Sequence, residues 1–84
     1  MFYVYILKSL QHDWMYTGYT ENLKRRFVEH QSGLSRATRP YRPFDLVFYE
    51  AYKAKADAKR REAYLKTNQG KRTLKLMLQE SLQE

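Results

Sequence analysis

Tyr16-Thr17-Gly18-Tyr19-Thr20-Glu21-Asn22-Leu23-Lys24-Arg25-Arg26-Phe27-Val28-Glu29-His30 decides how the chain is read. It predicts a strand, a short turn and a helix. Two tyrosines and a glycine occupy the strand, and a glycine inside a strand marks a bulge or a place where something approaches the backbone closely. Thr20 or Asn22 can cap the helix, which runs to about Gln31 and stops at Ser32-Gly33. Arg26 and His30 sit four apart and share a helix face, with Asn22 one turn earlier. Leu23 and Phe27 form a neighbouring apolar stripe able to dock on a sheet. Tyrosine, arginine and histidine projecting from one strand–helix unit suit the handling of a phosphate.

Upstream, Phe2 to Leu7 is β-branched and aromatic and predicts the first strand. Alternation puts Tyr3, Tyr5 and Leu7 on one face and Phe2, Val4 and Ile6 on the other. Both faces are apolar, so the strand is expected at the centre of a sheet covered on both sides. Gln11-His12-Asp13 is turn-like, and Trp14 to Tyr19 returns as the second strand. A turn centred between Leu10 and Gln11 would bring Tyr5 near Tyr16 across the hairpin.

Downstream, Leu34 to Pro43 reads as a loop. Phe44 to Tyr52 is a third strand, with Leu46, Phe48 and Glu50 on one face and Val47 and Tyr49 on the other. Lys53 to about Thr67 is a helix with an apolar stripe of Ala54, Ala58 and Leu65. Gly70 ends it or begins a new turn. Leu74, Met77, Leu78 and Leu82 define a last amphipathic helix. The order β-β-α-β-α-α predicts an α+β domain: a small three-stranded antiparallel sheet flanked by helices.

The chain has 84 residues, which predicts one small domain spanning 1–84. Aromatic residues are 15% of it, including eight tyrosines, so they must supply much of a thin core. Sixteen Lys+Arg against nine Asp+Glu give a net charge of +7, which favours a polyanionic partner, nucleic acid first. Lys24, Arg25, Arg26, Arg36, Arg39 and Arg42 cluster where Glu29 is the only acid. Cations interleaved with aromatics are the composition of a nucleic-acid groove, though a solvated basic face reads the same. The helices lack bulky apolar residues opposite the cations, which argues against a lipid surface. With no cysteine, disulfide scaffolds and thiolate metal sites are excluded. No apolar run approaches a membrane span and the start reads as a strand, not a leader, so the expected compartment is the cytoplasm.

Glu62 is the most telling acid, because helical spacing puts it beside Ala58 and Leu65 at the edge of the buried stripe. A carboxylate there can hold a hard cation such as Mg²⁺. It can equally form an i,i+4 pair with Lys66, worth a few tenths of a kcal/mol. His30 can accept a proton, although a lone histidine near a helix end is ordinarily a surface residue. Arg26 can clamp a phosphate with its planar fork.

The combination resembles a known family. Tyr3-Val4-Tyr5 followed by Tyr16-Thr17-Gly18 is similar to the paired motifs of the GIY-YIG nuclease superfamily, with Tyr3 in place of the initial glycine and Thr17 in place of the usual isoleucine. Asn22 to His30 resembles the helix carrying the family's arginine and histidine. Arg39-Pro40 to Tyr49 resembles its third-strand region, and Arg61-Glu62-Ala63-Tyr64-Leu65-Lys66 the segment with its metal-binding glutamate. The likeness is greatest to the small stand-alone bacterial members, which resemble the N-terminal domain of the excision-repair nuclease and lack added DNA-binding domains. Asn68 follows the glutamate helix too soon to match the asparagine of larger members.

The resemblance implies metal-dependent hydrolysis of DNA phosphodiester bonds, in single-stranded or branched DNA, in repair or recombination. It implies one Mg²⁺ or Mn²⁺ at Glu62 and no small-molecule cofactor. Arg26 would steady the charge on phosphorus. Tyr16 or Tyr5 would accept the proton of the attacking water, and His30 would hydrogen-bond a tyrosine or relay that proton. Lys24, Arg25, Arg36, Arg39 and Arg42 would contact DNA. A free phenol titrates near ~10, so a tyrosine base working near neutrality must be lowered by about three pH units, roughly 4 kcal/mol. Arg26, the metal and Lys24 are the available sources. The alternative is a nucleic-acid-binding module of the same fold with little or no activity.

Overall fold

A computed structural model describes residues 1–83. Strands β1 (Phe2–Ser9) and β2 (Met15–Thr20) form an antiparallel hairpin, followed by helix α1 (Leu23–Ser32). A 3-10 turn at Arg39–Tyr41 leads into β3 (Phe44–Tyr52). Helices α2 (Lys55–Leu65) and α3 (Asn68–Met77) follow, then a 3-10 turn at Ser81–Gln83. The strand order is β2-β1-β3, with both pairings antiparallel. The expected α+β sheet-and-helix order is therefore present, with β1 at its centre.

Alternation along β1 feeds two cores. Val4 and Ile6 join Ala58, Leu65, Leu74 and Leu78 beneath α2 and α3. Tyr5 and Leu7 join Phe44, with Trp14, Tyr16, Leu23, Phe27, Tyr41 and Leu46 packed against them, beneath α1 and the first 3-10 turn. Val4, Ile6 and Leu7 are fully buried, as expected for a strand covered on both sides.

Several local expectations are corrected. Tyr5 pairs with Gly18, and Tyr16 with Leu7, so the hairpin register is two residues away from the expected one. Residues 10–14 make a longer turn, closed where the Ser9 amide donates to the Trp14 carbonyl at 2.9 Å. A two-residue shift preserves which side chains share a face. In β3, Phe48 pairs with Ile6 but Leu46 pairs with Leu7, so Val47 is an extra residue in a bulge. Leu46 therefore faces α1 while Val47 and Phe48 both face α2, not the simple alternation expected. Ala54 is exposed at the N-cap of α2 and contributes nothing to its apolar stripe. Thr67 ends no helix; its hydroxyl caps α3 by accepting from the Gly70 amide at 3.0 Å. Met77 is 42% exposed, off the buried stripe.

Helix α1 has the predicted ends. The Asn22 side chain accepts from the Arg25 amide at 3.0 Å, and Thr20 stands just before it, its hydroxyl accepting from the Asn22 amide at 3.1 Å. Gly33 closes the helix in the left-handed region at φ 83, which glycine adopts without a Cβ clash. At the other end of β1, buried Ser9 donates to the Tyr41 carbonyl at 2.6 Å and accepts from the amides of His12 and Gln11. One hydroxyl thus joins the hairpin turn to the first 3-10 turn.

Candidate active site

The site is built on the edge strand β2. Tyr5 leans from β1 across Gly18, where a Cβ would collide with the Tyr5 ring and hydroxyl. Glycine at 18 is thus a close-approach position, and what approaches is a tyrosine from the neighbouring strand. The Tyr5 hydroxyl lies 2.7 Å from His30 Nε2, in a fully enclosed contact. Tyr16 completes the group, its ring centre 6.3 Å from that of Tyr5 and 5.3 Å from that of His30. Phe44 closes the far side of the imidazole at 6.2 Å. His30 is 0% exposed, so the ordinary expectation for a histidine near a helix end fails here.

Charge enters this cluster from two elements. Arg26, one turn before His30, is half-buried, and its Nη1 donates to the Glu29 carboxylate at 3.0 Å, which orients the fork. Burial pushes the Tyr5 phenol up to about 12; Arg26 opposes that, and Tyr16 and Glu62 add to it. Burial, then the Arg26 charge, lowers His30 to about 4, so the imidazole is neutral near pH 7. Glu62 comes from α2, which packs across the sheet through Ala58 and Leu65. Its carboxylate is near enough to raise the Tyr5 phenol, and it is held at 3.3 Å by Lys59 and 3.1 Å by Lys66. The expected Glu62–Lys66 pair is therefore present, beside a second lysine. Lys59 also lies over the Tyr19 ring at 4.5 Å, which pins this turn of α2 to β2.

Tyr5, Tyr16, Arg26 and His30 thus pack together on the β2 side of the sheet, and the Glu62 charge on α2 is close enough to act on Tyr5. The five cations read as a DNA-contact cluster are placed differently. Lys24 lines a recess with Tyr3, Leu46 and Tyr49, on the flank of α1 opposite Arg26. Arg25 is exposed, 3.9 Å from Glu29. Arg39 donates to the Gly33 carbonyl at 2.8 Å and Arg42 to the Arg39 carbonyl at 3.1 Å, so both brace the loop. Arg36 is exposed in that loop.

Sequence reading missed four contributors. Thr38, in the loop, is fully buried with its hydroxyl 2.8 Å from His30 Nδ1. Trp14 stacks on Tyr41 at 3.9 Å and 11°, walling the cluster beside Tyr16. Lys71 and Lys75, one turn apart on α3, line a recess with Trp14 and Thr17 at the outer edge of β2. A polar residue in a polar loop gives no sequence signal of burial, and the lysines' register against β2 depends on how α3 folds back.

A divalent ion can be tested against this chemistry. Among the described residues no three His, Cys, Asp or Glu side chains form a metal cluster. Glu62 offers a hard carboxylate whose charge reaches Tyr5, its side chain 14% exposed. One carboxylate fits an ion that keeps much of its water shell and takes further oxygens from a substrate phosphate, as Mg²⁺ does. Lys59 or Lys66 must then yield a carboxylate oxygen.

A buried phenol, a neutral imidazole, a clamped guanidinium and a carboxylate are thus set on a three-stranded sheet. The match to the GIY-YIG catalytic domain covers residues 1–75, and the chain belongs to that family, whose members form a nuclease superfamily. Several proteins it is similar to carry UPF0213 names, which state no activity. A UPF0213 protein of Clostridium perfringens is 38% identical, the alignment covering 100% of this chain and 90% of that one. One of Natronomonas pharaonis is 41% identical over 77% of this chain and 76% of the other. The solution NMR structure of a UPF0213 protein from Bacillus halodurans is 37% identical, with a TM-score of 0.57, covering 92% of this chain and 85% of that one. Among the described residues no helix is long and apolar enough to cross a membrane.

Proposed function

We propose that this protein is a metal-dependent endonuclease hydrolysing phosphodiester bonds in single-stranded or branched DNA, in a repair or recombination step in the cytoplasm. The observation that carries the reading is the enclosed Tyr5–His30 hydrogen bond, set beside Arg26 and within the field of Glu62. Tyrosine and histidine so paired, with a guanidinium and a carboxylate at hand, exceed what packing alone requires.

Arg26 stabilises the charge that develops on the phosphate oxygens. Glu29 keeps its fork in place, so little reorganisation accompanies the reaction. Tyr5, pushed up to about 12, stays protonated near pH 7 and serves as a hydrogen-bond donor. That leaves Tyr16 as the tyrosine that, as a phenolate whose proton has passed to solvent, would accept the proton of the attacking water; positive charge such as that of Arg26 favours an anion. Glu62 would hold a single Mg²⁺ or Mn²⁺, which would supply Lewis-acid charge when bound. Lys71, Lys75, Arg25 and Arg36 offer exposed cations to neighbouring phosphates, contacts that position DNA without reading its sequence.

One observation favours a second reading, a DNA-binding module without turnover: both Glu62 oxygens already face ammonium groups. A gel assay on labelled single-stranded, duplex, flap and junction DNA, with Mg²⁺, Mn²⁺ or EDTA, separates the two. Metal-dependent products are expected on single-stranded or branched substrates. Tyr16→Phe and Glu62→Ala are each expected to lower the rate by about 10²–10³-fold, with DNA affinity within a few-fold of the parent. Binding throughout the panel with no metal-dependent product identifies the module instead.

A further inference from the structure

Thr38, His30 and Tyr5 form one continuous line of polar atoms. The Thr38 hydroxyl is 2.8 Å from His30 Nδ1, and His30 Nε2 is 2.7 Å from the Tyr5 hydroxyl. Thr38 and His30 are both 0% exposed. A neutral imidazole carries one N–H, so this line can be polarised in only two directions.

In the first, Tyr5 donates to Nε2 and Nδ1–H donates to Thr38. The Thr38 hydroxyl proton is then left over, in a fully buried position, with no other hydrogen-bond partner among the described residues. In the second, Thr38 donates to Nδ1 and Nε2–H donates to the Tyr5 oxygen. The unmatched proton is then that of Tyr5, at the end of the line where Tyr16, Arg26 and Glu62 gather. Arg26 has only donors, so its nearness to the Tyr5 oxygen also favours that oxygen as an acceptor. Both ends are buried, but the Tyr5 proton has the Tyr16 oxygen and the Glu62 carboxylate on its side as acceptors, whereas the Thr38 proton has none among the described residues.

We propose that Thr38 donates to His30 Nδ1, fixes the Nε2–H tautomer, and thereby turns the Tyr5 hydroxyl proton away from His30, toward Tyr16 and Glu62. Thr38 is a positioning residue, acting through His30. Its consequence for cleavage rests on the nuclease reading. In this tautomer Nε2 has no free lone pair, so His30 orients Tyr5 and does not relay its proton. Tyr5 offers its hydrogen bond to Tyr16 or to Glu62.

The direct test is long-range ¹H–¹⁵N NMR of the whole protein labelled at histidine, near pH 7, with the His12 signal assigned by His12→Gln. Nε2 protonated and Nδ1 unprotonated is the expected result for His30; a proton on Nδ1 overturns the proposal. Thr38→Ser is expected to keep the parent ring shifts, and Thr38→Val to move them toward a tautomer average while the rest of the spectrum stays folded. Unchanged shifts in Thr38→Val overturn Thr38 as the selector. In the cleavage assay Thr38→Val is expected to lower kcat about tenfold at unchanged KM, with Thr38→Ser restoring it; a parental kcat in Thr38→Val overturns the positioning role. A parent protein that cuts nothing removes the nuclease reading alone, because the ring signals still decide the tautomer.

Discussion

The two faces of the sheet are built from alternate residues of the same central strand, yet they are different materials. Toward α2 and α3 the buried residues are Val4, Ile6, Ala58, Leu65, Leu74 and Leu78, all aliphatic. Toward α1 they are Tyr5, Leu7 and Phe44, with His30, Thr38 and Ser9 sealed among them. Aliphatic contacts are tolerant of rearrangement and contribute in proportion to area. The polar atoms opposite stay buried only because each has a partner at about hydrogen-bond distance. The contrast predicts that stability rests mainly on the aliphatic face and the proposed chemistry mainly on the other, with Glu62 reaching it from α2, and it can be broken by experiment.

The largest effect is expected from Leu65→Ala, which empties a fully buried site between α2 and the sheet. It should cost about 2–5 kcal/mol in denaturant unfolding. If the faces divide as described, the folded fraction keeps its parental cleavage rate. A rate that falls further than the folded fraction would show that Leu65 also fixes where α2 places Glu62.

Proton linkage sharpens the contrast next. His30 titrates near 6.5 when unfolded and at about 4 when folded. The unfolded chain therefore binds its proton first as pH falls. The full contribution is present above 6.5, declines between 6.5 and about 4, and reaches a loss of up to about 3 kcal/mol. Tyr5 mirrors this at the alkaline end, where its contribution is lost as pH rises from 10 toward about 12. Urea midpoints measured across pH 4–8 should show the acid decline, and His30→Gln should flatten it. An unchanged slope in that variant would place the pH sensitivity elsewhere.

The smallest effect is expected from Gly18→Ala. One added methyl must push the Tyr5 ring away from His30. Overpacking of this kind costs roughly 1–3 kcal/mol, and here it should also reduce cleavage, since the displaced ring carries a site hydroxyl. Parental activity together with parental stability would mean that the ring has somewhere else to go.

Much of this was legible before any coordinates. Period-two alternation in Phe2–Leu7 announced a strand covered on both faces, and the caps of α1 fell where Asn22 and Gly33 put them. Spacing of i,i+4 put Arg26 and His30 on one helix face, but the expected hairpin register set Tyr16 opposite Tyr5 where Gly18 stands, and it was the family resemblance that joined the four as a site. The bulge at Val47 was not legible, because Leu46, Val47 and Phe48 are all apolar and no polar residue betrays the change of face. Hairpin register escaped because residues 10–13 contain no short-turn signature, so its length was set by the Ser9–Trp14 closure. Thr38 escaped because its burial depends on a loop folding back over α1, and nothing local encodes that.

The bulge has a further result. β3 is an edge strand, and an edge with regularly spaced amides invites a strand from another molecule to zip onto it. Val47 interrupts that regularity midway, so an incoming strand loses its hydrogen-bond rhythm after a few residues. The same irregularity penalises sliding of β3 along β1, because any slipped alignment would set the kink opposite the wrong neighbour. A single surplus residue thus guards the molecule against fibre-like stacking while it keeps the chain in its one working alignment.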